Sequence, residues 1–152
     1  MLMLDPACGS KMFWFDKDNE NIVFGDIRHE NHILCDGREL HITPDVQMSF
    51  MAMPFCNDQF DMVVFDPPHL KHAGKNGWQA KKYGVLSDDW RRELEVAFEE
   101  CFRVLKSGGH FVFKWNEEQI KVSELLPLIP CKPLFGNSRP KLSKTYWLYF
   151  VK

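Results

Sequence analysis

The stretch FDMVVFDPPH, residues 60–69, is a continuous apolar, β-prone run that ends in an acid and two prolines. Prolines have no backbone N–H to donate to a neighbouring strand, so we expect the strand to end at Asp66. Ligands bind at the carboxyl ends of strands in open α/β sheets, which makes Asp66 a candidate site residue. The alternative is a polar residue that ends a strand before a Pro-Pro turn.

A second transition from strand to loop lies at the start of the chain. The apolar run 1–4 is followed by the loop DPACGS, residues 5–10. Small residues allow a ligand to approach the backbone closely, and the start of a following helix offers free N–H groups. The loop lacks the three glycines of the dinucleotide-binding fingerprint, so by itself it is weak evidence for a ligand site.

In this order, the two stretches resemble the signatures of class I S-adenosylmethionine-dependent methyltransferases, in particular the amino (adenine-N6/cytosine-N4) DNA methyltransferases. Residues 5–10 resemble the cofactor loop Asp-Pro-x-Cys-Gly-Ser-Gly, and residues 66–69 resemble the catalytic tetrad (Asn/Asp)-Pro-Pro-aromatic. Lys11 stands in place of the last glycine and His69 in place of Tyr, Phe or Trp. The chain resembles a bare catalytic domain over residues 1–152. We expect no target-recognition domain and nothing before the first strand.

The resemblance implies a Rossmann-like, doubly wound α/β fold, with a mostly parallel seven-stranded sheet and an antiparallel last strand. Apolar runs predict strands at residues 1–4, 22–26, 45–48, 60–65, 111–115, 133–136 and 145–151. A helix is expected from the N-cap Ser87 to the stop at Gly108 and Gly109, and a short helix over 123–129. Residues 11–16 are predicted as a short helix or turn, 28–43 as a hairpin-like insert, and 69–86 as a long loop.

The implied cofactor is S-adenosylmethionine. Asp26 ends the second strand about 20 residues past the loop, where an acid accepts hydrogen bonds from the cofactor ribose. Residues 49–51 fall where the family contacts the adenine, and core packing is the alternative for Phe50 and Met51. The predicted cofactor-binding residues are Asp5, Pro6, Ala7, Cys8, Gly9, Ser10, Asp26, Ser49, Phe50, Met51 and Asp66.

The predicted catalytic residues are Asp66, Pro67, Pro68 and His69. An exocyclic amine is a poor nucleophile, and the Asp66 carboxylate and Pro67 carbonyl would hold its two hydrogens while Asp66 stabilises the developing positive charge. His69 would stack on the base. The expected reaction is methyl transfer to an exocyclic nucleobase amine, with adenine N6 in DNA preferred. The alternatives are an RNA base methyltransferase, a small-molecule or protein methyltransferase, and a cofactor-binding or degenerate subunit of a larger complex.

Charge and aromatic content favour a nucleic-acid partner. Residues 1–66 contain 4 Lys/Arg and 12 Asp/Glu (4 − 12 = −8), whereas residues 67–152 contain 15 and 9 (15 − 9 = +6). Cations bind phosphates and rings stack on bases, although a solvated loop, and strand capping by Asn116, are the alternatives. Weak sequence specificity, a single-stranded substrate or a recognition subunit is expected. The predicted substrate contacts are Lys71, Lys75, Lys81, Lys82, Tyr83, Lys114 and Asn116.

Composition excludes several classes of protein. With 45% hydrophobic and 26% charged residues, the chain is expected to be globular. No apolar run approaches the roughly 18 residues of a membrane span, and the start does not resemble a signal peptide, so no membrane association and a cytoplasmic location are expected. Five widely spaced cysteines predict free thiols, and no metal site is expected.

Overall fold

The computed structural model describes residues 1–73, 77–137 and 143–152, which contain nine strands and three α-helices. The strands are β1 Met3–Asp5, β2 Ile22–Asp26, β3 Glu30–Ile33, β4 Glu39–Ile42, β5 Val46–Gln47, β6 Phe60–Phe65, β7 Leu105–Asn116, β8 Phe135–Gly136 and β9 Thr145–Val151. The helices are α1 Trp78–Tyr83, α2 Trp90–Val104 and α3 Val122–Leu125, which runs into a 3₁₀ turn, Leu126–Leu128. None of these helices is both long and apolar enough to cross a membrane.

Seven strands form one sheet in the order β5-β2-β1-β6-β7-β9-β8. The first five strands in this order, from β5 through β2, β1 and β6 to β7, are parallel to one another. Strand β9 runs antiparallel to its neighbours β7 and β8. The predicted Rossmann-like α/β fold is confirmed. The chain adds strands on one side of β1 and then on the other, so the order reverses between β1 and β6. A crevice opens at the carboxyl ends of the strands at such a reversal.

The main core lies between one face of the sheet and α2. Phe98 of α2 packs edge-on against Phe65 and Phe113, with ring centroids 5.9 and 5.1 Å apart. On the opposite face, Trp14 packs edge-on against Phe24 at 5.6 Å. Residues 11–16 form turns, so a large aromatic residue covers the sheet where a crossover helix would otherwise pack.

The connection between β2 and β5 contains the predicted hairpin. Strands β3 and β4 pair antiparallel, with His32 opposite Leu40, and form a two-stranded sheet of their own. Leu40 and Ile42 are buried, whereas Ile33 is exposed. The hairpin therefore has one apolar face against the domain and one face towards solvent.

Two predictions about helix α2 were wrong. The N-cap is Asp89 and not Ser87. The backbone N–H of Ser87 donates to Oε2 of Glu93 at 2.8 Å. The helix ends at Val104 and β7 begins with the next residue, so Gly108 and Gly109 lie inside a strand. Between the pairs Phe60–Leu105 and Met62–His110 the register of β6 and β7 shifts, and these glycines occupy that irregularity.

The prediction of an uninterrupted loop over 69–86 was also wrong, because α1 lies within it. Its residues include Gln, Ala and Lys, which favour helix, but six residues without a buried side chain produce no readable periodicity. Smaller differences occur at strand ends. β1 starts at Met3, β5 spans Val46–Gln47, and β8 starts at Phe135.

Candidate functional site

Three acids meet at the edge of the sheet where the strand order reverses. Asp5 is the last residue of β1, Asp26 is the last residue of β2, and Asp66 directly follows β6. Their exposed fractions are 0% for Asp5, 4% for Asp26 and 19% for the Asp66 side chain. Burying three carboxylates is unfavourable unless each has hydrogen-bond partners, and each has a different set.

The side chain of Asp5 holds the loop of residues 5–10 through two hydrogen bonds. Its Oδ1 accepts the backbone N–H of Ala7 at 3.2 Å, and its Oδ2 accepts the indole N–H of Trp14 at 2.7 Å. Burial raises the pKa of Asp5 to about 7, and the two N–H donors offset only part of that effect. Asp5 was predicted as a cofactor-binding residue, and the structure gives it the role of holding the loop.

The loop is held to β2 through its backbone. The N–H of Cys8 donates to the carbonyl of Gly25 at 2.9 Å, and the N–H of Gly9 donates to Oδ2 of Asp26 at 2.9 Å. Gly9 has a φ of +51°, which glycine adopts without steric cost. Lys11, in place of the family's last glycine, keeps a left-handed φ of +54°, and its ammonium lies 3.9 Å from the centre of the Phe24 ring.

Asp26 is also bound by Arg28, which the sequence analysis missed. Oδ1 of Asp26 accepts the backbone N–H of Arg28 at 2.9 Å and its Nε–H at 3.1 Å, and Oδ2 accepts Nη2–H at 3.2 Å. Arg28 also donates through Nη1 to the carbonyl of Lys81 in α1 at 3.0 Å. The signal in the sequence that could have predicted this contact is a basic residue two positions after an acid that ends a strand.

A first cavity lies between the loop, Asp26 and residues 49–51. Its wall includes Pro6, Ala7, Asp26, Ile27, Arg28, Ser49, Phe50 and Met51. The hydroxyl of Ser49 accepts the N–H of Met51 at 3.2 Å, and Phe50 packs edge-on against Phe65 at 5.6 Å. Phe50 therefore contributes to both the cavity wall and the core.

Two further cavities adjoin the first through shared wall residues. The second is lined by residues 7–10 of the loop together with Met12, Phe13, Arg28, Asp66, Pro67, His69, Lys82 and Tyr83. The third is lined by Asp66, His69, Leu70, Trp78, Gln79, Tyr83, Lys114, Asn116, Glu118 and Thr145. Asp66 and Tyr83 line all three cavities, and Pro68 lines the first. Asp66 thus lies where the three cavities meet.

Asp66 forms an ion pair with Lys114 of β7. Burial raises the pKa of Asp66, and the adjacent ammonium offsets only part of that rise. Within residues 1–73, 77–137 and 143–152, Lys114 is the single donor to this carboxylate and bonds to Oδ2, so Oδ1 remains available. Lys114 was predicted to contact substrate. It lines the third cavity and pairs with Asp66, and its ammonium lies 5.4 Å from the centre of the Phe13 ring and 5.7 Å from that of Trp147.

His69 faces the aromatic residues of α1. Its ring lies 5.3 Å from that of Tyr83 at an interplanar angle of 53°, and the Tyr83 ring lies 6.4 Å from that of Trp78. Burial, and secondarily the charge of Lys114, lower the pKa of His69. A neutral, partly buried imidazole can act as a flat contact surface.

The structure separates some of the predicted substrate contacts from the cavities. The ammonium of Lys71 lies 5.7 Å from the centre of the Trp90 ring, and Lys81 lines another cavity together with Ile33 and Cys35. The amide of Asn116 donates to the Ser143 carbonyl at 3.0 Å and to Oγ1 of Thr145 at 3.2 Å, so Asn116 joins strand ends as well as lining the third cavity. Lys75 lies outside the described residues.

The described residues contain no group of three His, Cys, Asp or Glu side chains that is arranged to hold a metal ion. The sequence contains two His-x-x-His pairs, His29/His32 and His69/His72, and neither acquires a third ligand from that part of the chain. His32 instead contacts Oε2 of Glu30 at 2.8 Å on the exposed hairpin.

Comparisons with known proteins support the fold. The chain is similar to the PH0226 protein from Pyrococcus horikoshii OT3, with a TM-score of 0.52 and 14% identity over 98% of this chain and 81% of that one. A possible exported protein from Bordetella parapertussis matches with a TM-score of 0.47 and 9% identity, over 99% of this chain and 61% of that one. No protein-family model and no curated protein matches the sequence. Because the identity to the PH0226 protein is only 14%, this similarity shows a shared Rossmann-like α/β fold and nothing further.

Proposed function

We propose that this chain is an S-adenosylmethionine-dependent methyltransferase that acts on an exocyclic amine of a nucleobase, with adenine N6 in DNA as the first target. The position of Asp66 carries the proposal. This acid lines the cavity that contains the loop and Asp26, and it also lines the cavity that contains the rings of Trp78 and Tyr83. A methyl donor and an acceptor amine must approach each other in line, and a shared wall residue can position the amine there.

The first cavity has side chains suited to an adenosyl cofactor. The Asp26 carboxylate can accept hydrogen bonds from ribose hydroxyls, Phe50 and Met51 offer apolar surface to an adenine ring, and Ala7 and Gly9 permit close approach of a ligand. Arg28 already donates to Asp26, so the hydroxyls would have to replace part of that contact. When bound, the cofactor would supply an electrophilic methyl group on a sulfonium.

Asp66 would hold the acceptor amine. Its Oδ1 can accept one N–H of the amine, the carbonyl of Pro67 would accept the other, and the carboxylate would stabilise the positive charge that develops on nitrogen. Lys114 favours the ionised form of Asp66 and so offsets part of the effect of burial, which favours the protonated acid. A protonated acid would carry an O–H donor and have less capacity to accept hydrogen bonds from the amine. The two prolines restrict the backbone and so fix the direction of these acceptors.

The third cavity is lined by three aromatic side chains, which suit a planar base. His69 comes from the tetrad, whereas Trp78 and Tyr83 come from α1. The ammonium of Lys82 lies 5.2 Å from the centre of the Tyr83 ring and lines the second cavity, where it can neutralise a phosphate. Because extruding a base from a duplex costs a few kcal/mol, we propose single-stranded DNA as the better substrate.

The test begins with calorimetric titration of the protein with S-adenosylmethionine and S-adenosylhomocysteine. Saturable binding of one equivalent is expected, followed by tritiated methyl transfer to single-stranded DNA in preference to duplex DNA or RNA. A folded sample that binds neither compound would overturn the proposal. Transfer to RNA alone would retain the reaction and change the substrate.

A further inference from the structure

Helix α1 is attached to the rest of the protein by few contacts. It has no buried residue, and its backbone N–H groups at Lys81 and Gly84 bond within the segment to Gly77 and Ala80. In the part of the chain that the structure describes, one hydrogen bond ties residues 78–84 to another element, from Nη1 of Arg28 to the carbonyl of Lys81 at 3.0 Å. Segments held this weakly open at low free-energy cost.

Arg28 is the residue that links α1 to the first cavity. Its side chain is 19% exposed and lies between two glycines. A Cβ on Gly9 would lie 3.7 Å from Nη2 of Arg28, and a Cβ on Gly84, just after α1, would lie 4.0 Å from its Cζ and 3.0 Å from Cγ of Pro68. The guanidinium thus fills the space between the cofactor loop and the end of α1.

The Asp26 carboxylate has no free acceptor position while Arg28 is bound. A carboxylate offers about four lone-pair sites. Asp26 receives four donors, the backbone N–H groups of Gly9 and Arg28 and the Nε–H and Nη2–H of the Arg28 side chain. The two backbone donors belong to the loop and the strand end. A ligand hydroxyl that binds Asp26 must therefore displace the guanidinium.

We infer that Arg28 is a positioning residue that couples cofactor binding to the release of α1. This inference rests on the proposed function. Ribose hydroxyls that take Asp26 displace the guanidinium, the hydrogen bond from Arg28 to Lys81 is lost with it, and α1 becomes free to move. Because Trp78, Gln79 and Tyr83 form one wall of the third cavity, this movement opens the cavity to the nucleic acid after the cofactor has bound.

The test uses the variants Arg28→Met and Arg28→Lys, with Arg38→Met as a matched control. Arg38 lies on the same hairpin connection but is exposed and pairs with Asp36 at 2.6 Å. Two quantities are measured: the affinity for S-adenosylhomocysteine by calorimetry, and amide hydrogen exchange over residues 77–84 with and without that compound. Arg28→Lys keeps a cation for Asp26, but its single ammonium cannot also reproduce the guanidinium contact with Lys81.

In the wild type and in Arg38→Met, S-adenosylhomocysteine is expected to accelerate exchange over 77–84. Arg28→Met is expected to exchange rapidly without ligand and to bind the compound roughly tenfold more tightly, because the competing charge-assisted bonds are gone. Arg28→Lys is expected to exchange rapidly while its affinity stays near that of the wild type. This pattern distinguishes two effects of Arg28: its hydrogen bond to α1, which hydrogen exchange measures, and its competition with the ligand for Asp26, which the affinity measures.

Weaker binding by Arg28→Met would make Arg28 a cofactor ligand and overturn the inference, as would exchange over 77–84 that neither the variant nor the ligand changes. Either result leaves the proposed function intact if the wild type binds the compound. A lack of binding by both the wild type and Arg28→Met would overturn the proposed function and the coupling together.

Discussion

The two sides of the strand-order reversal hold their acids in different ways. On the β1 and β2 side, Asp5 and Asp26 accept hydrogen bonds from backbone N–H groups, from Trp14 and from Arg28, so each of their carboxylate oxygens has a donor. On the β6 side, Asp66 is bound through one oxygen by Lys114. The first arrangement builds and holds a loop, whereas the second leaves a charged oxygen at the meeting point of the cavities.

The largest expected effect is that of Asp66→Asn, which removes the charge from the second arrangement. Losing a preorganised acceptor for developing charge typically costs about 10² to 10³ in rate. We expect kcat for methyl transfer to fall by that factor while the affinity for S-adenosylhomocysteine changes little. Tritiated-methyl assays and calorimetry measure the two quantities. Asp58→Asn, an exposed acid paired with Lys152, is the matched control, and full activity of Asp66→Asn would remove Asp66 from catalysis.

The next effect concerns ligand binding on the first side. In Asp26→Ala a ribose loses its charged acceptor and Gly9 loses the partner of its N–H. Hydrogen bonds to charged groups contribute about 1.5–3 kcal/mol, so the affinity for S-adenosylhomocysteine is expected to fall roughly 10- to 100-fold. The control is Asp36→Ala, which removes an exposed acid of the hairpin that pairs with Arg38. An unchanged calorimetric affinity in a folded variant would place the cofactor elsewhere.

The next prediction tests whether burying Asp5 on the first side lowers the free energy of unfolding. Burial raises the pKa of Asp5 from its ordinary 3.8 to about 7 in the folded state, so the native state holds the proton more tightly than the unfolded state. Stability should therefore fall as the pH rises from 5 to 8, by roughly 2–3 kcal/mol from this residue. Urea unfolding of the wild type and Asp5→Asn at both pH values measures the contribution.

The difference between the two pH dependences isolates Asp5, because the other titrating groups are shared. The variant is expected to show the flatter dependence, even though its amide cannot satisfy both Ala7 and Trp14 and lowers stability at every pH. Asp18→Asn, on the exposed turn, serves as the control and should follow the wild type. Parallel curves for all three proteins would show that Asp5 does not titrate in this range.

Local signals in the sequence were sufficient for the strands that form the reversal. The predicted ranges 22–26 and 60–65 coincide with β2 and β6. Each apolar run ends in an acid, and prolines at 67–68 follow the second run, so the strand ends are defined locally in the sequence. The same signals placed Asp26 and Asp66 at the correct edge. α1 could not be predicted in this way, because it is short and has no buried face.

The partners of the acids could not be predicted with the same ease. Lys114 lies 48 residues from Asp66 in sequence, and the two meet because Phe65 pairs with Phe113, which brings the next residues side by side. That register depends on the irregularity at Gly108 and Gly109, which the sequence analysis interpreted as a helix stop. The contact between Arg28 and Asp26 is local, but an arginine near an acid on a surface turn is too common to identify a site.

The last prediction concerns Lys114, whose removal should make Asp66 resemble Asp5 by leaving a buried acid without a cation. In Lys114→Met, burial is no longer offset, so the pKa of Asp66 rises further. Since the ionised carboxylate is the active form, the acid limb of the pH profile of kcat should move to higher pH, with activity reduced near neutrality and recovered in alkaline buffer. Lys106→Met, which removes the more exposed partner of Asp61, should leave the limb in place. A profile of Lys114→Met that superimposes on that of the wild type would mean that Asp66 is kept ionised by something other than its ion pair, or that its charge does not limit the reaction.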